Sequence, residues 1–274
     1  MKLSVWSSYY HPLAPEDMVT RFLEHGIFCT ELSDEHGAQL FSRGADVKKT
    51  GELFADFISA RGFEITQGHL PLSTRICSAD LTKLCQWIDM YEAIGIKNMV
   101  LHCDNLTETL LTREEKIEKN SEKLRELAKY IEGRDITICL ENLRPRSPAE
   151  TDLIDKSADD LLHIITLVGS ERFGICLDTG HLNLTVKGHR DFILKAGKRL
   201  KALHITDNDG TSDQHLMPFN RGCIDFPNII KTLREIGYEG IFNFEIPGES
   251  GIPMELRDAK LSYIKAAYSY LMHL

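Results

Sequence analysis

Eight short apolar runs alternate with longer amphipathic stretches along the 274-residue chain. Several runs are apolar at consecutive positions, which is typical of strands buried on both faces of a parallel sheet. The stretches between them have the hydrophobic spacing of helices, and most of them end at a glycine. Eight such units in this length favour an α/β fold of the closed (β/α)8 type, a TIM barrel, over an open doubly wound sheet. Strands are expected at 2–8, 27–33, 63–69, 96–103, 136–142, 173–181, 200–208 and 240–247.

The sequence contains neither a domain linker nor a nucleotide-binding motif. No Gly-x-Gly-x-x-Gly motif follows the first predicted strand, and there is no P-loop. No linker rich in proline, glycine or serine interrupts the strand–helix rhythm. The sequence therefore predicts a single barrel domain over 1–274.

Composition excludes several classes of protein. With 42% hydrophobic and 27% charged residues, the chain has the composition of an ordinary globular protein. No apolar run approaches the roughly 20 residues that span a bilayer. Seven scattered cysteines, an odd number without a Cys-x-x-Cys pair, indicate a reduced and therefore cytoplasmic location. A net charge of −9 disfavours a protein that grips the phosphate backbone of nucleic acid.

Polar residues collect at the ends of the predicted strands, and active sites of such barrels lie at the carboxyl ends of the strands. Six of the eight runs bring a histidine or an acidic residue to that rim. The loop after the seventh strand adds Asp213 and His215. The strand-end residues are His69, His102, Glu141, Asp178 with His181 close behind, His204 and Glu245.

Two of these carboxylates, Glu141 and Glu245, directly follow apolar strand residues. Burying an unpaired carboxylate costs several kcal/mol, so a compensating cation is expected. For each residue taken alone, a buried salt bridge or an ordinary hydrogen-bonded histidine is the alternative. Their convergence on one rim, with mixed carboxylate and imidazole donors, favours a divalent metal such as Mn, Co, Zn or Mg. Cys139 and Cys176 should lie on the same face deeper in the barrel and pack there.

Four segments of the second half resemble a known superfamily. They are LEN (140–142), CLDTGH (176–181), LHITDNDGTSDQHLMPFNRGCIDF (203–226) and FEIP (244–247). The chain resembles the xylose-isomerase-like TIM barrels, which include sugar isomerases and ketose 3-epimerases, hydroxypyruvate isomerase, inosose dehydratase and the endonuclease IV group of abasic-site endonucleases (AP endonuclease family 2).

In the sugar-handling members, the resemblance implies one divalent ion bound by the residues at Glu141, Asp178, His204 and Glu245. It also implies that Glu141 and Glu245 act as the acid and base of a proton transfer through an enediolate. His181 would contact oxygens of a small-molecule sugar substrate.

Other rim residues are candidates for binding the substrate. These are His69, His102, Trp6 and the rim arginines Arg144, Arg146 and Arg221, which would clamp an anionic group. Packing at the barrel mouth for Trp6 and a solvated surface charge for the arginines are the alternatives.

The endonuclease members bind three zinc ions through further ligands, and this chain has residues at the corresponding places, namely His69, His102, His181, Asp213 and His215. Three departures favour the sugar-handling members: NLRPRSP follows Glu141, LNLT follows the DTGH motif, and the net charge is −9. One departure, PFNRGC after His215, fits neither group. The leading prediction is therefore a metal-dependent sugar isomerase or epimerase. The alternatives are a zinc-dependent abasic-site endonuclease, an inosose-type dehydratase and a non-catalytic barrel. The acidic, helix-covered exterior would allow a homo-oligomer.

Overall fold

The computed structural model describes residues 1–78, 80–147, 150, 152–249 and 251–274. Eight parallel strands, each paired with its neighbours in chain order, form one barrel. The strands are β1 (Lys2–Trp6), β2 (Cys29–Leu32), β3 (Glu64–His69), β4 (Asn98–Leu101), β5 (Thr137–Glu141), β6 (Phe173–Asp178), β7 (Leu200–His204) and β8 (Ile241–Phe244).

Helices cover the outside of this barrel. They are α1 (Pro15–Glu24), α2 (Asp34–Phe41), α3 (Val47–Ser59), α4 (Thr82–Ile94), α5 (Arg113–Tyr130), α6 (Ala158–Val168), α7 (Thr179–Asn183), α8 (His189–Ala196), α9 (Phe226–Glu235) and α10 (Met254–His273). The predicted (β/α)8 barrel is therefore confirmed. None of the helices in the described residues is long and apolar enough to cross a membrane.

The last strand, β8, pairs differently with its two neighbours, β1 and β7. β8 pairs with β1 over four residues. β8 meets β7 through two backbone hydrogen bonds at Ile205, whose amide donates to Asn243 O at 2.8 Å and whose carbonyl accepts from Glu245 N at 3.2 Å. In the described residues, β7 and β8 therefore meet at an isolated bridge, Ile205 with Phe244, rather than along a run of paired strand residues.

Two helices were not predicted, and both begin at a capping side chain directly after a strand. Ser33 accepts a hydrogen bond from the amide of His36 at the start of α2. Asp178 accepts one from the amide of His181 at 2.6 Å and starts α7. β6 therefore ends at Asp178, whereas the strand was expected to continue to His181. The Asp178 side chain accepts the hydrogen bond of the His181 amide and so caps the first turn of α7.

The apolar core has two parts. The larger part lies between the strands and the surrounding helices. The smaller part lies inside the ring of strands and consists of Val100, Cys139, Cys176 and Ala202. Cys139 and Cys176 thus pack one layer below Glu141 and Asp178, as predicted. All seven cysteines lie in the described residues and are free thiols.

Candidate metal centre and active site

The carboxylate of Glu141, at the end of β5, is the centre of the site. It is 2% exposed. Its Oε2 lies 3.3 Å from Nε2 of His69 and 2.9 Å from Nε2 of His102. Its Oε1 lies 3.3 Å from Nδ1 of His181 and 3.4 Å from Nδ1 of His204. One carboxylate thus contacts imidazoles from four different parts of the chain.

Asp178, His204 and Glu245 form a second group beside Glu141. One donor atom from each lies within 4.8 Å of the others. Asp178 Oδ2, His204 Nδ1 and Glu245 Oε2 are buried and have no hydrogen-bond partner among the described residues. Buried polar atoms nearly always have a hydrogen-bond partner. Three potential ligand atoms that lack one and face one another are therefore the arrangement that a bound cation would complete. These residues therefore fit a divalent metal ion.

Four of the five histidines of the cluster are anchored through one ring nitrogen. Nδ1 of His69 lies 2.7 Å from Leu70 O, and Nδ1 of His181 lies 3.0 Å from Asn142 O. Nδ1 of His215 lies 2.8 Å from Glu245 O. His204 is anchored by the opposite nitrogen, Nε2. Metal-binding histidines commonly donate their second N–H to a protein acceptor, which leaves the first nitrogen to face the ion.

Asp213 and His215 extend the cluster on the side of His181. Oδ2 of Asp213 lies 3.4 Å from Nε2 of His181 and 3.4 Å from Nε2 of His215. Arg144 forms an ion pair with the same oxygen at 2.9 Å. All nine metal-ligand candidates from the sequence therefore lie in one connected cluster.

The acidic groups of the cluster differ in their affinity for a proton. Burial raises the pKa of Glu245 to about 8, against the opposing effect of His204 and His215. Burial also acts on Glu141, but His204 and His102 hold its pKa well below the ordinary value. Burial lowers the pKa of His215, yet Asp213 and Glu245 bring it to about 10. Two neighbouring glutamates thus have separated pKa values, as in pairs where one acts as base and the other as acid.

A cavity of about 240 Å³ lies over the cluster. Trp6, His69, His102 and His181 line it, as do Arg144 and Arg146. A second cavity of about 350 Å³ adjoins it and shares the wall formed by His102, Leu143, Arg144 and Arg146. Arg221 is exposed and lines neither cavity. The structure therefore brings every sequence-predicted site residue to this rim except Arg221.

Sequence reasoning missed Glu31 in β2, which is fully buried and lies 2.9 Å from Nε2 of His204. The signal was the one that singled out Glu141 and Glu245, a carboxylate within an apolar strand. Asp34, which follows β2 and lines the cavity, was missed as well.

The sequence profile of a family described as "Xylose isomerase-like TIM barrel" matches residues 24–267. The chain belongs to this family. Fructoselysine 3-epimerase of Escherichia coli O157:H7 is 31% identical over 126 residues, covering 46% of this chain and 44% of that protein. L-ribulose 3-epimerase of Methylomonas sp. strain DH-1 is 27% identical over 150 residues, covering 55% of this chain and 47% of that protein. The chain thus matches less than half the length of each of these two relatives.

Two solved structures superpose over nearly the whole chain. D-psicose 3-epimerase from Clostridium cellulolyticum H10 has a TM-score of 0.80 at 17% identity and covers 99% of each chain. A D-tagatose 3-epimerase-like protein has a TM-score of 0.78 at 22% identity, covering 100% of this chain and 98% of that one. At these identities the likeness establishes the shared fold.

Proposed function

We propose that this chain is a divalent-metal-dependent isomerase or epimerase of a ketose or sugar phosphate. The observation that supports it best is the convergence of the unpartnered atoms of Asp178, His204 and Glu245 beside Glu141. The names of the curated relatives, which are 3-epimerases of fructoselysine, psicose and ribulose, support the same reaction class.

Glu141, Asp178, His204 and Glu245 would hold the ion. When bound, a divalent ion there supplies Lewis-acid stabilisation of the negative charge that develops on the oxygens of a ketose during proton removal. Three of these ligands are the last residues of β5, β6 and β7, and Glu245 directly follows β8, so their spacing is set by the sheet rather than by a flexible loop.

Glu141 and Glu245 are the proposed proton-transfer groups. Each places a carboxylate oxygen 3.4 Å from Nδ1 of His204. The one with the lowered pKa, Glu141, is suited to start as the base, and Glu245, with its raised pKa, is suited to return a proton. Return to the same carbon from the opposite face is epimerisation, and return to the neighbouring carbon is isomerisation. Both proceed through an enediolate.

The cavity over the cluster supplies the remaining requirements. Trp6 offers an apolar surface on which one face of a sugar can pack, and His181 offers a ring nitrogen for a substrate hydroxyl. Arg144 and Arg146 place positive charge where the two cavities join. The sugar would therefore lie between Trp6 and the carboxylates, with its far end toward the arginines.

The experiment combines elemental analysis with hydrogen exchange. We expect about one divalent ion per chain in protein prepared without chelator, the number that a single carboxylate–imidazole centre holds. With a ketose panel in deuterated water, deuterium should enter the carbon next to the carbonyl. Glu141→Gln and Glu245→Gln should each slow this exchange by about 10²-fold or more.

Glu235→Gln is the matched control, because this exposed carboxylate on α9 pairs with Arg190 and lies on the outside of the barrel. It should exchange like the wild type. Metal-loaded protein that labels no ketose in the panel would refute the proposal.

A second candidate function is a three-metal phosphodiesterase acting on abasic DNA. Three overlapping groups of potential ligands favour it: His69, His102 and Glu141; Glu141, Asp178 and His181; Asp178, His204 and Glu245. This candidate predicts about three ions per chain and incision of an abasic oligonucleotide, as in other multi-metal phosphodiester sites. A protein that binds one ion per chain and does not incise the abasic oligonucleotide would exclude the phosphodiesterase and leave the sugar reaction as the remaining candidate.

A further inference from the structure

Glu31 is fully buried inside the barrel, on the side of His204 that faces away from the metal-ligand cluster. Its Oε1 lies 2.9 Å from Nε2 of His204. Its Oε2 accepts hydrogen bonds from Nε2 of Gln67, at 3.0 Å, and from Nδ2 of Asn243. Asn243 in turn accepts a hydrogen bond from Oγ of Ser4 at 2.7 Å. The carboxylate is therefore held directly by groups from three other strands, and Ser4 of a fourth strand supports Asn243.

This arrangement determines which nitrogen of His204 carries a proton. Two amide groups occupy Oε2 of Glu31, so Oε1 is left for the imidazole. An ionised carboxylate only accepts hydrogen bonds, so Nε2 of His204 must be the donor. Nδ1 then points the other way, 3.4 Å from Oε1 of Glu141 and 3.4 Å from Oε2 of Glu245.

We propose that Glu31 is a positioning residue that keeps Nε2 of His204 protonated and thereby presents the Nδ1 lone pair to the metal ion. The consequence for metal binding rests on the proposed function, whereas the position of the proton does not. Glu31 touches neither cavity lining the site, so it acts through His204.

The isosteric variant Glu31→Gln tests this directly. Its amide oxygen can satisfy both Gln67 and Asn243 only by turning its NH₂ group toward Nε2 of His204. In the opposite orientation, the NH₂ group of the new glutamine would face the NH₂ groups of Gln67 and Asn243, and three donors would meet without an acceptor. Nε2 must then become an acceptor, and the neutral imidazole carries its proton on Nδ1, where the ion would bind.

The measurement is a two-bond ¹H–¹⁵N correlation on metal-free, ¹⁵N-histidine-labelled full-length protein between pH 6 and 10, with His204 assigned by comparison with His204→Gln. In the wild type, Nε2 of His204 should keep its proton at every pH. In Glu31→Gln, the neutral form should carry it on Nδ1. A wild-type protein with a bare Nε2 would overturn the proposal, and this readout does not depend on whether the variant folds.

Titration with Co²⁺, followed by its absorption bands, supplies the second readout. Glu31→Gln should weaken binding about 10–100-fold, the usual effect of losing a hydrogen-bond partner of a metal ligand. Ser4→Ala is the control, because it disturbs the same buried network but leaves the Glu31–His204 contact in place. Equal Co²⁺ affinity in Glu31→Gln and the wild type would contradict the positioning role. If the wild type binds no metal, the proposed function fails, and the proton position alone still decides the role of Glu31.

Discussion

The Tyr10 hydroxyl donates a hydrogen bond to Oδ1 of Asp258 at 2.6 Å, although the two residues are 248 positions apart. Tyr10 lies in the short helical turn after β1, and Asp258 lies near the start of α10. Nε of Arg21, in α1, donates to the same oxygen at 3.0 Å. One nearly buried carboxylate therefore joins the first and the last elements of the barrel.

Asp258→Asn should lower the free energy of unfolding by about 1–3 kcal/mol, because an amide leaves a donor without its charged acceptor. Although burial opposes it, Arg21 and Tyr10 lower the pKa of Asp258. The stabilisation is therefore present above the ordinary aspartate pKa and is lost as the pH falls. Urea denaturation at neutral and acidic pH measures both effects. The control Asp191→Asn, on the exposed face of α8, should change little. A neutral-pH stability equal to that of the wild type would contradict this prediction.

Asp155 makes stability depend on pH in the opposite direction. It is fully buried after β5, with both oxygens within 3.1 Å of Nδ2 of Asn105. Burial raises its pKa to about 7, although the hydrogen bond from Asn105 opposes this. Because the folded state holds the proton more tightly, the contribution of Asp155 is fully present below about pH 4 and is lost as the pH rises to about 7.

The stability of the wild type relative to Asp155→Asn should therefore fall between pH 4 and pH 8, by at most about 4 kcal/mol. Paired urea denaturation curves of the two proteins across this range measure the difference. A difference that stays constant with pH would show that Asp155 is ionised throughout.

Gly180 allows α7 to approach the segment that directly follows β7. A Cβ atom there would lie 2.2 Å from Oγ1 of Thr206 and 3.1 Å from Nδ2 of Asn208. Gly180→Ala should therefore shift α7, lower the free energy of unfolding by about 1–3 kcal/mol and displace the adjacent Asp178 and His181. Thermal unfolding and retained metal content measure the two effects. Gly44→Ala is the control, since no other atom of the described residues lies within 4 Å of its added Cβ. If Gly180→Ala has the thermal stability and metal content of the wild type, the Thr206 side chain moves aside and α7 keeps its place.

Removal and return of metal should change stability. Asp178 Oδ2 and Glu245 Oε2 are buried and have no hydrogen-bond partner in the part of the chain that the structure describes, so an added ion relieves an unfavourable arrangement. At a free ion concentration of 100 times Kd, binding to the folded state alone adds about 2.7 kcal/mol. Melting curves of chelator-treated protein with Mn²⁺, Co²⁺, Zn²⁺ or Mg²⁺ should show a rise for at least one ion. Asp178→Asn should abolish that rise, and Asp191→Asn should keep it. No rise with any of the four ions would contradict a metal centre.

Most of the fold could be predicted from the sequence because most strands lie in short apolar runs and most helices have a hydrophobic face. The sequence did not reveal α2 or α7. For α7, the strand expected at 173–181 was extended through DTGH, whereas β6 ends at Asp178 and the Asp178 side chain caps the amide of His181. A contact of one side chain with a backbone amide leaves no trace in hydrophobic periodicity.

The rim could be anticipated because strand ends of a parallel barrel must meet, whatever the loops do. That brought Glu141, Asp178, His204 and Glu245 together, while their role as metal ligands stays a prediction. Arg221 could not be placed, since it lies in the long loop after β7. His215 and Phe219, in the same loop, adopt positive φ angles of 45° and 66° without being glycine. Such conformations depend on tertiary contacts rather than on local sequence.

His204 and Glu245 flank the β7–β8 seam, where two backbone hydrogen bonds at Ile205 complete the ring within the part of the chain that the structure describes. An ion held by both side chains would link the ends of β7 and β8, which in the described residues meet at an isolated bridge. The same ion would then serve the proposed reaction and hold the ends of the two strands together. Protein stripped of its ion would release the amide hydrogen of Ile205 to solvent sooner than those of the fully paired strands, and the barrel would start to open beside its own active site.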